Sequence, residues 1–124
     1  SNPAGAKAAL ETMAAIAESG RASDDEGREM LKILITPGMV ELGEKQAEYN
    51  AAFGAQAAKI CDRIYTVGRT NSDAIRDGAL QAGFPEDRVT ECRTLAEAMA
   101  LMNAVEPGRR RVLLLENDLT DDYA

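Results

Sequence analysis

The run Met30-Leu-Lys-Ile-Leu-Ile35 and the eight residues after it, Thr36-Pro-Gly-Met-Val-Glu-Leu-Gly43, constrain this chain most. Three consecutive aliphatic residues, Ile33 to Ile35, suit a strand whose two faces are both covered. Pro37-Gly38 then makes a tight loop, and a helical pattern begins near Gly43. That order puts the loop at the carboxyl end of a strand and the amino end of a helix. Open α/β sheets bind their ligands there.

The same alternation runs through the chain. Residues 4–18 read as an Ala-rich helix with Leu10, Met13, Ile16 and Ala17 on one face, ended by Ser19-Gly20. Arg21 to Gly27 reads as a polar loop in which Ser23-Asp-Asp-Glu26 caps a short helical turn. A helix is predicted from about Gly43 to Ile60, with Tyr49, Phe53, Ala57 and Ile60 as its buried stripe. Arg63 to Gly68 is the second strand, and Asn71-Ser72 opens a helix that stops at Gly83. Arg88 to Cys92 is a short strand. Thr94-Leu-Ala-Glu97 is a capping box for a helix to Val105, and Arg111 to Leu115 is the last strand. Strands alternating with helices predict an α/β fold, a three-layer αβα Rossmann-like sandwich with a mostly parallel sheet. Ile33 to Ile35 and Val112 to Leu115 are expected in its central strands.

Length and composition narrow the function classes. A chain of 124 residues supports one core and one domain. A formal charge of −7 argues against a duplex-binding module. No apolar run is long enough to span a bilayer, and the start lacks a secretory signal, so a cytoplasmic protein is expected. Cys61 and Cys92 lack metal spacing and read as reduced, buried or half-buried thiols. There is no histidine, which removes every Ser-His or Cys-His nucleophile pair. Neither GxGxxG after a strand nor GxxxxGK[ST] occurs, so a triphosphate would have to be held elsewhere.

Three loops carry the candidate site residues. Gly38 and Glu41 lie in the loop after the first strand, and Glu41 there either complements a helix dipole or takes an ammonium group. Glu116, Asn117 and Asp118 follow the last strand and stand on the ligand edge, unless they are a solvated exit loop. Arg69 suits a phosphate or carboxylate, and Asn71 is explained by helix capping alone. No metal site and no catalytic residue is expected.

Several of these pieces resemble one family in order. Asn2-Pro3 with Lys7-Ala-Ala-Leu10, Gly38-Met-Val-Glu-Leu-Gly43, Cys61-Asp-Arg-Ile-Tyr-Thr-Val-Gly68 and Pro107 to Asn117 together resemble the C-terminal domain of the Mur ligases. The pattern is most similar to the branch that adds D-Ala-D-Ala to UDP-MurNAc-tripeptide, and it covers essentially the whole chain. The resemblance implies the third domain of an ATP-dependent peptidoglycan ligase, with the UDP-sugar domain and the central ATP- and Mg2+-binding domain outside these residues. It implies that Asn2 touches the nucleotide edge and that Gly38, Glu41, Glu116, Asn117 and Asp118 face the incoming dipeptide. The chain departs from the family at its last strand, where Glu116-Asn-Asp118 stands in place of Lys-Gly-Ser or Lys-Ala-Ser. The alternative is a stand-alone flavodoxin-like domain that binds a small molecule or nucleotide.

Overall fold

A computed structural model describes residues 2–20 and 26–116. The expected capped turn at Ser23 to Glu26 falls largely outside them, as do Asn117 and Asp118. Helix α1 spans Pro3–Gly20 and strand β1 spans Leu31–Thr36. A 3-10 turn at Gly43–Lys45 leads into α2, Gln46–Ile60. Then come β2 (Arg63–Val67), α3 (Ser72–Gln81), β3 (Val89–Cys92), α4 (Leu95–Ala104) and β4 (Arg111–Leu115). Asn2 and Pro3 start α1 as the sequence suggests. The Asn2 Oδ1 accepts from the Gly5 N–H at 2.8 Å, and proline fills the first helical position, where no N–H is needed. At α4, Thr94 Oγ1 accepts from the Glu97 N–H at 3.1 Å, while the Glu97 carboxylate reaches the Arg93 N–H rather than that of Thr94.

The four strands lie in the order β3-β2-β1-β4, and every pairing is parallel. The chain steps outward from β1 to β2 to β3, then crosses back over β1 to lay down β4 on its other side. That reversal makes the gap between β1 and β4 the topological switch point of the sheet. Right-handed crossovers put α2 and α3 on one face and α4 on the other. The two cores follow. Leu34 and Ile64 pack with Ala6, Leu10, Met13, Phe53 and Ile75, whereas Leu31, Ile33, Ile35, Tyr65 and Val67 pack with Ala98 and Met102. Gly20 lies against Met30 and Pro3 close to Met39, so α1 runs antiparallel to β1. Its amino end therefore sits on the same edge as the strand carboxyl ends.

Two expectations are corrected. The run Val112 to Leu115 is not central: among the described residues β4 pairs with β1 alone and forms an edge. Its side chains are half-buried, and Leu115 is 46% exposed. A run of aliphatic residues cannot distinguish an edge covered by a helix from a true centre. The buried stripe of α2 is also rotated. Asn50, Phe53, Gly54 and Ala57 are buried, with Tyr49 and Ile60 only half-buried. The cause is the contact with α3. A Cβ at Gly54 would overlap the Ile75 carbonyl, and one at Gly78 the Ala51 carbonyl, so the two helices touch backbone to backbone.

Both thiols are free and buried, as expected. Burial, and then Asp62, pushes the Cys61 thiol from 9.0 to about 12 against a smaller opposing effect of Lys32. Burial, and then Glu97 and Glu91, pushes Cys92 from 9.0 to about 11. A group whose folded value is raised lends stability below its unfolded value and loses it as pH climbs toward the folded one. Denaturant midpoints are thus expected to be flat with respect to these thiols below about pH 9 and to fall between pH 9 and 11, with a smaller fall in Cys61→Ala. Leu34 is fully buried on the central strand, so Leu34→Ala should cost about 2–5 kcal/mol in urea unfolding. Half-buried Leu114 on the edge should cost less than half as much under the same assay.

Candidate functional site

The loop after β1 lies on the switch-point edge, and buried side-chain hydrogen bonds hold it there. Thr36 Oγ1 accepts from the Gly38 N–H at 2.9 Å, closing the first turn. Asn50, one turn into α2, answers both backbone groups of Met39. Its Oδ1 accepts from the Met39 N–H at 2.8 Å, and its Nδ2 donates to the Met39 carbonyl and the Gln46 carbonyl, each at 2.9 Å. Asn71 completes the clasp. Its Nδ2 donates to the Pro37 carbonyl at 3.0 Å, and its Oδ1 accepts from Gln46 Nε2 at 2.9 Å. Behind it, Ser72 Oγ lies 2.7 Å from Thr66 Oγ1 and 2.5 Å from the Gly68 carbonyl. Thr36, Asn50, Thr66, Asn71 and Ser72 are all buried, so this polar layer seals the upper end of the core.

Asn71 corrects the sequence reading. It stands at the helix start, but its side chain makes no capping bond and instead spans from α3 to the β1 loop. Asn50 escaped notice altogether. It was hidden as one polar residue inside an Ala-rich helix, and the signal available was its place between Tyr49 and Phe53 on the inward side. Gly38 is where it is for a spatial reason. Its φ is +83°, and a Cβ would come within 2.6 Å of Asn71 Cβ and 2.7 Å of Asn50 Oδ1.

Beyond the clasp the loop turns outward. Met39 is buried, whereas Val40 is 45% exposed and Glu41 is exposed. Glu41 adopts φ of +63°, a region where a side chain is costly. Glu116 enters the same edge from the other side of the switch point. Its N–H donates to the Ile35 carbonyl at 3.1 Å, which extends the β1–β4 ladder by one bond. Gly38, Glu41 and Glu116 are therefore brought to one edge, and Asn2 joins them through the antiparallel course of α1. Arg69 follows β2 on that edge and is exposed. Beside the loop, a hollow of about 210 Å³ lies between the start of α1 and α2, lined by Pro3, Met39, Tyr49, Ala52, Phe53 and Gln56. Among the described residues no three His, Cys, Asp or Glu side chains gather to hold a metal, and no helix is long and apolar enough to cross a membrane.

No protein-family profile matches this chain, and no curated protein matches it. A crystal structure of MurF from Acinetobacter baumannii superposes with a TM-score of 0.66 at 20% identity, covering 93% of this chain and 22% of that one. The chain thus spans about a fifth of the length of that protein and shares the fold of the matched part. The α/β, Rossmann-like architecture expected of a Mur ligase C-terminal domain is the one observed. The order β3-β2-β1-β4 also differs from the flavodoxin order, in which the first strand lies between the second and the third.

The clasp makes two mutational predictions. Asn50→Ala would leave the buried Met39 N–H and carbonyl without their partners and should cost on the order of 3 kcal/mol in urea unfolding. Gly38→Ala combines an unfavourable φ with two overlaps and should cost at least about 2 kcal/mol. Amide exchange would localise each loss: protection should drop first at residues 38 and 39, and an unchanged pattern would remove the clasp from its structural role.

Proposed function

We propose that this chain is the closing domain of an ATP-dependent amide ligase of peptidoglycan synthesis, a cytoplasmic enzyme that adds D-Ala-D-Ala to UDP-MurNAc-tripeptide. The observation that carries the reading is the switch-point edge. It brings the Gly38-Met-Val-Glu-Leu-Gly43 loop, Glu116 and the Asn2-Pro3 helix start together, the same segments that carry the family resemblance. The shared fold with part of MurF supports the same reading.

In this reading the reaction runs in two steps. ATP transfers its terminal phosphoryl group to the tripeptide carboxylate, giving an acyl phosphate and ADP. The dipeptide amine then attacks the acyl carbon, an amide forms, and phosphate and a proton leave. This chain's residues do not suit a triphosphate. The chain has neither GxGxxG after a strand nor GxxxxGK[ST], and at the entrance to α2 Lys45 is accompanied by Glu41 and Glu44. ATP and its Mg2+ are accordingly assigned to a central domain outside these residues. The closing domain supplies orientation of the incoming amine and a wall that keeps water from the acyl phosphate.

The full-length polypeptide is expected to release phosphate from ATP when both UDP-MurNAc-tripeptide and D-Ala-D-Ala are present. The 124-residue chain alone should release none, and calorimetry should find no ATP binding tighter than millimolar. Micromolar ATP affinity of the isolated chain would instead support a stand-alone nucleotide-binding domain.

A further inference from the structure

Helices α1 and α2 leave a trough along their outer seam. Both start at the edge of the strand carboxyl ends and run away from it side by side. At the upper end, the hollow of about 210 Å³ lies between Pro3 and Tyr49, over buried Met39 and Phe53. Gln56 lines that hollow and also a second one of about 370 Å³, which lies between Lys7 and Glu11 of α1 and Lys59 and Ile60 of α2, over buried Leu10. The α2 wall of the trough thus runs from Tyr49 to Ile60, or about 16 Å of helix.

The two ends differ in chemistry. Apart from Gln56, apolar residues and Tyr49 line the upper hollow. Lys7 and Lys59 line the lower one, both exposed, and neither forms an ion pair or hydrogen bond with any described residue. Glu11 is the one acidic residue among those lining it, and it leaves Lys7 unpaired although it lies one turn away. In a chain of formal charge −7, this hollow keeps a net positive charge over an apolar floor. The lysine stems can cover Leu10 and Ile60 while their ammonium groups stay in water.

We propose that the trough docks an acidic amphipathic helix of a partner protein, with an aliphatic side chain in the upper hollow and carboxylates on Lys7 and Lys59. Charge sets the sign of the partner, because an acidic surface repels acidic segments everywhere except beside these two lysines. Length sets its size, since about 16 Å holds three helical turns, or about 11 residues. An apolar stripe laid into a groove between two helices is an established mode of helix recognition. The inference does not rest on the ligase reading, which concerns the strand-end edge and not this helical layer.

The test is fluorescence anisotropy with three labelled three-turn helical peptides. The first carries leucine on the face toward the trough and glutamate at its lower end. The second has lysine in place of glutamate, and the third has serine in place of leucine. Each is titrated with the full-length polypeptide and with the 124-residue chain. The leucine–glutamate peptide should bind both proteins alike, about tenfold tighter than either other peptide, and added salt should weaken it. Lys7→Glu combined with Lys59→Glu should weaken it about tenfold, and Ala52→Glu, at the exposed rim of the upper hollow, should remove binding. All three positions are exposed, so urea midpoints should stay near wild type. Equal affinity for the lysine peptide, unchanged affinity in the variants, or no binding tighter than millimolar would overturn the inference. Binding by the 124-residue chain alone would make the trough a seam between domains. Self-association lost in the double lysine variant would give it to a second copy. Either result would also overturn the partner helix.

Discussion

Asn50 holds the site together. One side chain satisfies both the donor and the acceptor of Met39, and the loop that leaves the central strand has few other ways to keep its backbone polar groups paired while buried. A loop held only by its own turn would be free to swing over the switch point. The clasp depends in turn on a contact a few residues away. Gly54 and Gly78 let α2 and α3 approach to backbone distance, which brings Asn50 on one helix within reach of the loop that Asn71 holds from the other. Widening that contact by a single methyl group would separate the two amides. Helix packing, loop conformation and edge geometry are therefore one coupled constraint.

The charge on the edge follows a gradient. Arg93 and Arg69 stand at the β3 and β2 end, while Glu41 and Glu116 stand over β1 and β4. Lys45, at the start of α2, adds a positive charge beside Glu41 and Glu44. At the switch point Rossmann sheets hold their pyrophosphate against a glycine-rich turn, and the loop after β1 has no GxGxxG. The sheet has the β3-β2-β1-β4 order of a Rossmann half without a glycine-rich turn after β1.

Much of the fold was legible because its signals are local. Strands β1 and β4 fall on Leu31–Thr36 and Arg111–Leu115 as expected, since runs of aliphatic residues bounded by polar or glycine-rich turns leave little choice. Strand rank was not legible. Val112 to Leu115 reads as central because its residues are all aliphatic, and nothing in a strand's own sequence reports whether it has one neighbour or two. The site divided in the same way. Gly38, Glu41 and Glu116 were visible from their position after strands. Asn50 and Asn71 were not, because their partners lie 11 and 34 residues away in sequence. Gly54 and Gly78 carried a readable signal, a helix interior that accepts the penalty of glycine, whose reason is visible only in the packing.

Glu41 gives the edge its direction. A residue with a Cβ at φ of +63° costs about 1–2 kcal/mol over the ordinary conformation, and glycine would remove most of that. The neighbouring Gly38 and Gly43 show that the loop uses glycine where its backbone turns to positive φ. Glu41 breaks that pattern while pointing into solvent, so packing within the chain does not account for its side chain. Val40 beside it is exposed as well, an apolar residue at the tip of an otherwise clamped loop. A strained carboxylate and an exposed aliphatic side by side suit a surface that is covered when another body meets it. The clasp beneath fixes their height above the sheet.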